Sequence, residues 1–220
     1  MSMVTSAPQS PILGGTSHVS TSNPNNVFES KWYENLSFEE CAKELKKRVR
    51  ARFAEELIKL PSGLYNRIKT WCVLSGSSIS SIFHSEAVKD FDLWSTNDAM
   101  ITVIENDLLT KYQDCIMKYG DTEGYSDLGL GQQAHKKVVT DNAIMLKGRI
   151  QFITLGMYED QRELFDLVHC KPYYHLDTDT FYISPQQMDC IRNKKLLKNP
   201  EGRHPTAWRI SKFEKRGWTF

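Results

Sequence analysis

Nowhere in the 220 residues does an apolar run approach the roughly 18 that would cross a bilayer. The N-terminus also lacks the basic start and apolar stretch of a secretory signal. The expected setting is therefore a reducing cytoplasm, with no membrane partner. Cysteine is scarce and unpatterned: Cys41, Cys72, Cys115, Cys170 and Cys190 are scattered and never form a C-x-x-C pair. That spacing signals neither a disulfide framework nor a zinc site. A dominant charge is missing too, because 28 basic and 27 acidic side chains leave only +1. No global field draws the chain onto nucleic acid, so any such binding must use a local patch. No internal repeat is visible at a useful period.

What is present suits one folded domain with appendages. Hydrophobic residues make up 40% of the chain and aromatic residues 11%, enough for a packed interior. The pattern divides the chain into a low-complexity arm over 1–26, a helical segment over 27–66 and a main domain over 67–220. The arm is rich in Ser, Thr, Pro, Gly and Asn, with hardly a charge. Alone it should be disordered, since it cannot bury enough surface to offset the entropy of ordering. Held extended by neighbouring subunits, it would serve self-association or assembly with other proteins.

From Ser37 the pattern changes. Ser37 and Glu40 have capping-box spacing, and Phe38, Cys41, Leu45, Val49, Phe53, Leu57 and Leu60 recur at helical spacing. The spacing predicts one long helix ended by Pro61, Ser62 and Gly63. Its outer face carries Lys43, Lys46, Lys47, Arg48, Arg50 and Arg52, either a solvated face or a phosphate contact.

Strands are expected at Trp71 to Leu74 and at Phe91 to Trp94, with a short helix between them from Ser78 to Phe83. Asn97 or Asp98 should cap a helix running to Tyr112. Residues 119–131 read as a loop. Ala143 to Leu146 and Ile150 to Ile153 should form an antiparallel hairpin. A helix is predicted over Asp160 to Leu167, a second hairpin around 173–183, and a last helical region from Pro185. The fold class is α+β, a small mixed or antiparallel sheet flanked by helices.

The chemistry-bearing residues cluster around the first two strands. Asp90 and Asp92 stand at i and i+2, and side chains at that spacing on a strand point to one face, where they can share Mg²⁺. Upstream, Gly76, Ser77 and Ser78 follow a strand and open a helix, where backbone N–H groups and the helix dipole can cradle a triphosphate. Each piece alone is a common fragment, but their joint order is restrictive.

Other candidates are weaker. His169 and Cys170 are adjacent, and neighbours on a strand face opposite sides, so a shared metal is disfavoured. A buried thiol and a hydrogen-bonded imidazole is the expectation. His84, His175 and His204 are read as structural. Lys212, Lys215 and Arg216, with Phe213 and Trp218 interleaved, either meet phosphates and bases or form a helix with docked aromatics and wet cations.

The order of Leu74, Ser75, Gly76 and Ser77, then Asp90, Phe91, Asp92 and Leu93, resembles the signature of the DNA-polymerase-β nucleotidyltransferase superfamily. Asp141 to Leu146, Arg149 to Ile153, Phe165 to Cys170 and Lys212 to Trp218 resemble tailed-bacteriophage proteins of that fold, over Cys72 to Trp218. The resemblance implies a nucleotidyltransferase-like core, Mg²⁺ on Asp90 and Asp92, and a nucleoside triphosphate at Gly76, Ser77 and Ser78. It also implies a host-cytoplasmic or virion setting. The superfamily's third carboxylate falls at Gln151, which has no acid to offer. Asp166 either fills that role or merely bonds to the neighbouring chain. Two functions follow as expectations: nucleotidyl transfer from an NTP to a hydroxyl, or a non-catalytic virion or assembly protein that keeps the fold.

Overall fold

The structure, a computed structural model, describes residues 32–118 and 137–220. The low-complexity arm and the expected 119–131 loop lie outside the described residues. Helix α1 (Phe38–Leu57) starts as the capping box requires. The Ser37 amide donates to Glu40 Oε2 at 2.9 Å, and the Glu40 amide donates to Ser37 Oγ at 3.2 Å.

The helix stops a turn before Leu60, and Pro61 then caps a second helix, α2 (Ser62–Trp71). Proline suits a helix start, because the N–H it lacks would have had no intrahelical acceptor. The sequence pattern hid α2 because only Leu64 and Ile68 of its residues are buried. Two positions are too few for a periodic signal.

The remaining elements are β1 (Cys72–Ser75), α3 (Ser77–Phe83), β2 (Phe91–Ser95), α4 (Asp98–Thr110), β3 (Val139–Thr140), β4 (Ala143–Leu146) and β5 (Ile150–Ile153). They continue with α5 (Tyr158–Gln161), β6 (Tyr173–His175), β7 (Thr180–Tyr182), α6 (Pro185–Arg192) and α7 (Ala207–Glu214). Both expected hairpins form, β4 with β5 and β6 with β7. The first turns through Gly148 and Arg149, both at positive φ, as a tight right-twisted hairpin needs.

The described residues form one seven-stranded sheet in the order β3-β4-β5-β2-β1-β6-β7. Every neighbouring pair is antiparallel except β2 with β5. The chain is thus mixed α+β, a small mixed sheet flanked by helices. Alternation splits the sheet into two faces. Leu74, Phe91, Leu93, Ile150 and Phe152 join Leu45 and Phe53 of α1 and Ile79 and Phe83 of α3 in the main core. On the other face Val73, Trp94, Ala143 and Ile153 pack with Tyr158 in a smaller cluster, and Ser75, Asp92 and Gln151 continue that face toward one sheet edge.

Three expectations are corrected. The helix predicted over 160–167 is a single turn, α5, followed by a 3-10 turn at Arg162–Leu164, and Phe165 is extended. His169 and Cys170 sit on a 3-10 turn, Val168–Cys170, not on a strand. The His169 ring has no hydrogen-bond partner among the described residues and packs on Trp218 and Phe213, with centroids 4.1 and 4.5 Å away. Its expected hydrogen bond is absent because aromatic carbon surrounds it. On α1, part of the basic face forms ion pairs, Lys46 and Arg50 reaching Asp179 at 3.0 and 3.2 Å and Arg48 reaching Glu44 at 3.0 Å, while Lys43 and Lys47 are exposed.

Candidate functional site

The site begins with the tight turn between β1 and α3. Ser75 Oγ donates to the Pro172 carbonyl at 2.9 Å, and the Gly76 amide donates to the Cys170 carbonyl at 3.1 Å. That second bond changes the part assigned to Gly76, because its N–H is already used and is not available to a phosphate. What the glycine supplies is closeness. At φ +92° a Cβ on residue 76 would lie 2.5 Å from Asp92 Oδ2, inside van der Waals contact. The carboxylate of Asp92 therefore packs against a bare Cα.

Ser77 and Ser78 open α3, and the first amides of a helix have no intrahelical carbonyl to donate to. Ser78 is buried, and its Oγ has no hydrogen-bond partner among the described residues. A buried hydroxyl left unpaired costs about 1–3 kcal/mol unless something else satisfies it.

Asp90 immediately precedes β2 and Asp92 lies within it. The start of the strand is pinned by the Phe91 amide, which donates to the Arg149 carbonyl at 2.8 Å, and by Arg149 Nη1, which donates to the Val88 carbonyl at 2.8 Å. Asp92 pairs with Ser75 across the antiparallel β1 and with Gln151 across the parallel β5. Burial pushes the Asp92 carboxyl up to about 8, and the nearby Asp90 charge pushes the same way, against Arg209 and Lys212. The structure thus crowds two acids at one end of β2 and holds the buried Asp92 toward its neutral form.

Opposite this pair stands part of the basic C-terminal cluster, placed there by the fold and by no local pattern. Helix α7 brings Arg209 and Lys212 toward the acids from far along the chain. Lys212 feels both Asp90 and Asp92, yet burial and the neighbouring Arg209 and Lys89 charges hold its ammonium below its usual range. Arg209 is ion-paired through Nε with Asp166, and its Nη2 lies 3.5 Å from Cys170 Sγ. Asp166, the candidate third acid, is therefore engaged by a guanidinium.

A cleft of about 330 Å³ is lined by Gly76, Asp92, Trp94, Phe165, Asp166 and Arg209 among others, whereas Asp90, Ser77, Ser78 and Lys212 are not part of its wall. Arg203, His204 and Thr206 also line it, so His204, read above as structural, is an exposed residue of the cleft wall. Trp94 was legible in principle, two residues beyond Asp92 on the same face. Its indole N–H is buried without an acceptor among the described residues. Among the described residues no cluster of three or more His, Cys, Asp or Glu side chains is arranged to hold a metal. The two aspartates are nevertheless a donor set that suits Mg²⁺, which is commonly held by one or two carboxylates together with substrate phosphates.

No described helix is long and apolar enough to span a membrane. No curated protein matches the sequence. Two solved structures are similar. One is the Thermotoga maritima CCA-adding enzyme complexed with tRNA, at 12% identity and TM-score 0.37, covering 74% of this chain and 38% of that one. The other is a CCA-adding enzyme in apo form I, at 9% identity and TM-score 0.41, covering 77% and 45%. The chain spans less than half the length of either enzyme. A family model described as Gad2, Gabija anti-defense 2 family protein, matches residues 37–194. With most of its length inside that match, the chain belongs to the Gad2 family of Gabija anti-defense proteins.

Proposed function

We propose that the cleft transfers a nucleotidyl group from a nucleoside triphosphate to a hydroxyl acceptor, and that a phage uses this chemistry against Gabija defence in the cytoplasm of its host. The observation that carries the reading is the packing of Asp92 against the bare Cα of Gly76, with Asp90 beside it. That contact sets Asp92 directly against the turn that opens α3, whose first amides have no intrahelical acceptor. Asp90 and Asp92 would hold Mg²⁺, and Ser77 and Ser78 would take phosphate oxygens. The bound ion supplies neutralisation of the charge that develops on the transferring phosphate. The acceptor oxygen forms a bond to the α-phosphorus while the bond to the bridging oxygen breaks and pyrophosphate leaves. The hydroxyl proton passes to a carboxylate of the pair. Asp166, held by Arg209, serves better as an orienting group than as a third acid.

A second reading has one specific support, the neutral Gln151 beside Asp92 where a third carboxylate is expected. In it the chain binds its partner without turnover, as a virion, assembly or sequestering protein. Phage plating on Gabija-carrying cells separates the two. Cells expressing Asp90→Asn with Asp92→Asn should lose protection of the phage while the protein still accumulates. Full protection by the double variant would favour binding without chemistry. Release of pyrophosphate from Mg-ATP, abolished in the same variant, tests the chemistry itself.

A further inference from the structure

Charge along this chain is unevenly placed. Residues 192–216 hold nine Lys or Arg against two acids, although the whole chain carries only +1. Some of these cations are used internally: Arg192 bonds the Leu36 carbonyl at 2.8 Å, and Lys194 reaches Glu86 at 2.7 Å. Others, including Lys195, Lys198, Arg203 and Lys215, are exposed.

Of the two arrangements expected for the aromatics of this cluster, the docked one forms. Phe213 and Trp218, interleaved with the basic cluster, are buried, whereas Trp208 at the start of α7 is 69% exposed. A large aromatic surface left in water loses hydrophobic free energy that burial would have gained. Lys212 lies over the Trp208 ring, 5.8 Å from its centroid, and the same ammonium feels Asp90 and Asp92. Lys212 thus neighbours both the ring and the acid pair. Arg203, His204, Thr206 and Arg209, which line the cleft, flank Trp208 in sequence. The cation surplus of residues 192–216 repels a polycationic acceptor and favours one that carries phosphates.

We propose that the outer face of α7, built on Trp208 and Lys212, docks the end of a single-stranded nucleic acid and delivers its terminal hydroxyl to Asp90 and Asp92. The inference rests on the transfer reading above and names its acceptor class. A base stacks on Trp208, the adjoining phosphate meets Lys212, and the terminal sugar reaches the acidic pair. Within a duplex the base faces are covered by their stacked neighbours, so single strands are preferred. The exposed bases are recognised by stacking, which is tolerant of sequence.

The test uses the full chain and fluorescein-labelled single strands of about a dozen nucleotides, RNA and DNA in parallel, followed by anisotropy at low and physiological salt. Trp208→Ala should weaken binding about tenfold, as loss of one base–aromatic stack does, and Trp208→Phe should restore most of it. Lys212→Gln should lower the slope of log affinity against log salt by about one. The tighter strand identifies the sugar. Equal binding by wild type and Trp208→Ala, or no binding of either strand at low salt, overturns the proposal. A parallel Mg-ATP titration of the wild type keeps the two ideas apart. Nucleotide binding without strand binding sinks only this inference; strand binding without nucleotide binding sinks the transfer reading and leaves the docking face standing.

Discussion

Gln151 stands beside Asp92 in register across the parallel pair of β2 and β5, so a neutral amide occupies the place next to the candidate metal-holding carboxylate. An amide oxygen can coordinate an ion but adds no charge and accepts no proton at neutral pH. The expected outcome of restoring the acid follows directly. Gln151→Asp should lower the melting temperature without Mg²⁺, because three carboxylates then crowd one sheet end. Added Mg²⁺ should raise it by several degrees more than it raises the wild type. Calorimetry with and without the ion reads both effects, and an identical Mg²⁺ response in the two proteins would count against metal binding here.

Gly76→Ala probes the closest contact in the site. The new Cβ would stand 2.5 Å from Asp92 Oδ2, on a backbone at φ +92°. Positive φ on a residue with a Cβ costs about 1–3 kcal/mol before the clash is counted. Urea unfolding should show a loss of at least that size. Combining it with Asp92→Gly should recover part of the loss, and strict additivity would argue against the contact.

Asp166→Asn separates two roles. Removing the charge that holds Arg209 should weaken nucleotide binding severalfold while leaving Mg²⁺ dependence intact, since the arginine is only loosened. A third metal acid would instead show its loss as a higher Mg²⁺ requirement. Isothermal titration of nucleotide over a range of Mg²⁺ concentrations distinguishes these outcomes.

His169 sets an acid limit on stability. Burial first, then the Arg209 and Arg216 charges, push its imidazole down to about 3 from an ordinary 6.5. The unfolded chain therefore binds one more proton than the folded chain between those values. Stability contributed by the neutral ring is complete above pH 6.5 and falls as pH drops, by about 1.4 kcal/mol per unit. Unfolding measured from pH 7 to pH 5 should show this slope in wild type and a shallower one in His169→Phe.

Much of this was legible in local sequence. The Ser37 and Glu40 capping box, both hairpins and the strand, turn, helix, strand order around Gly76 all depend on contacts within a few residues, which pattern and turn chemistry report directly. The strand position of Asp92 was readable from alternation, but Asp90, expected on the same strand, falls just before β2, where alternation does not fix its direction. Helix α2 was not, since its apolar content is too sparse for a period. The end of the 160–167 helix was missed because Phe165 leaves the helix to pack with Trp94 and Tyr158.

By itself, then, the sequence determined most of the elements, the first two strands with Asp92 on the second, and the glycine turn that follows the first, because these arise from short-range propensity and alternation. Only the tertiary structure decided that Gln151 meets Asp92, that Arg209 takes Asp166, that the Gly76 amide is already bonded to Cys170, and that Trp208 rather than Trp218 stays in water. Each of those outcomes joins segments far apart in the chain. Which strands pair, and which face of a helix finds the core, is settled by the packing of the whole sheet and leaves no trace in local spacing.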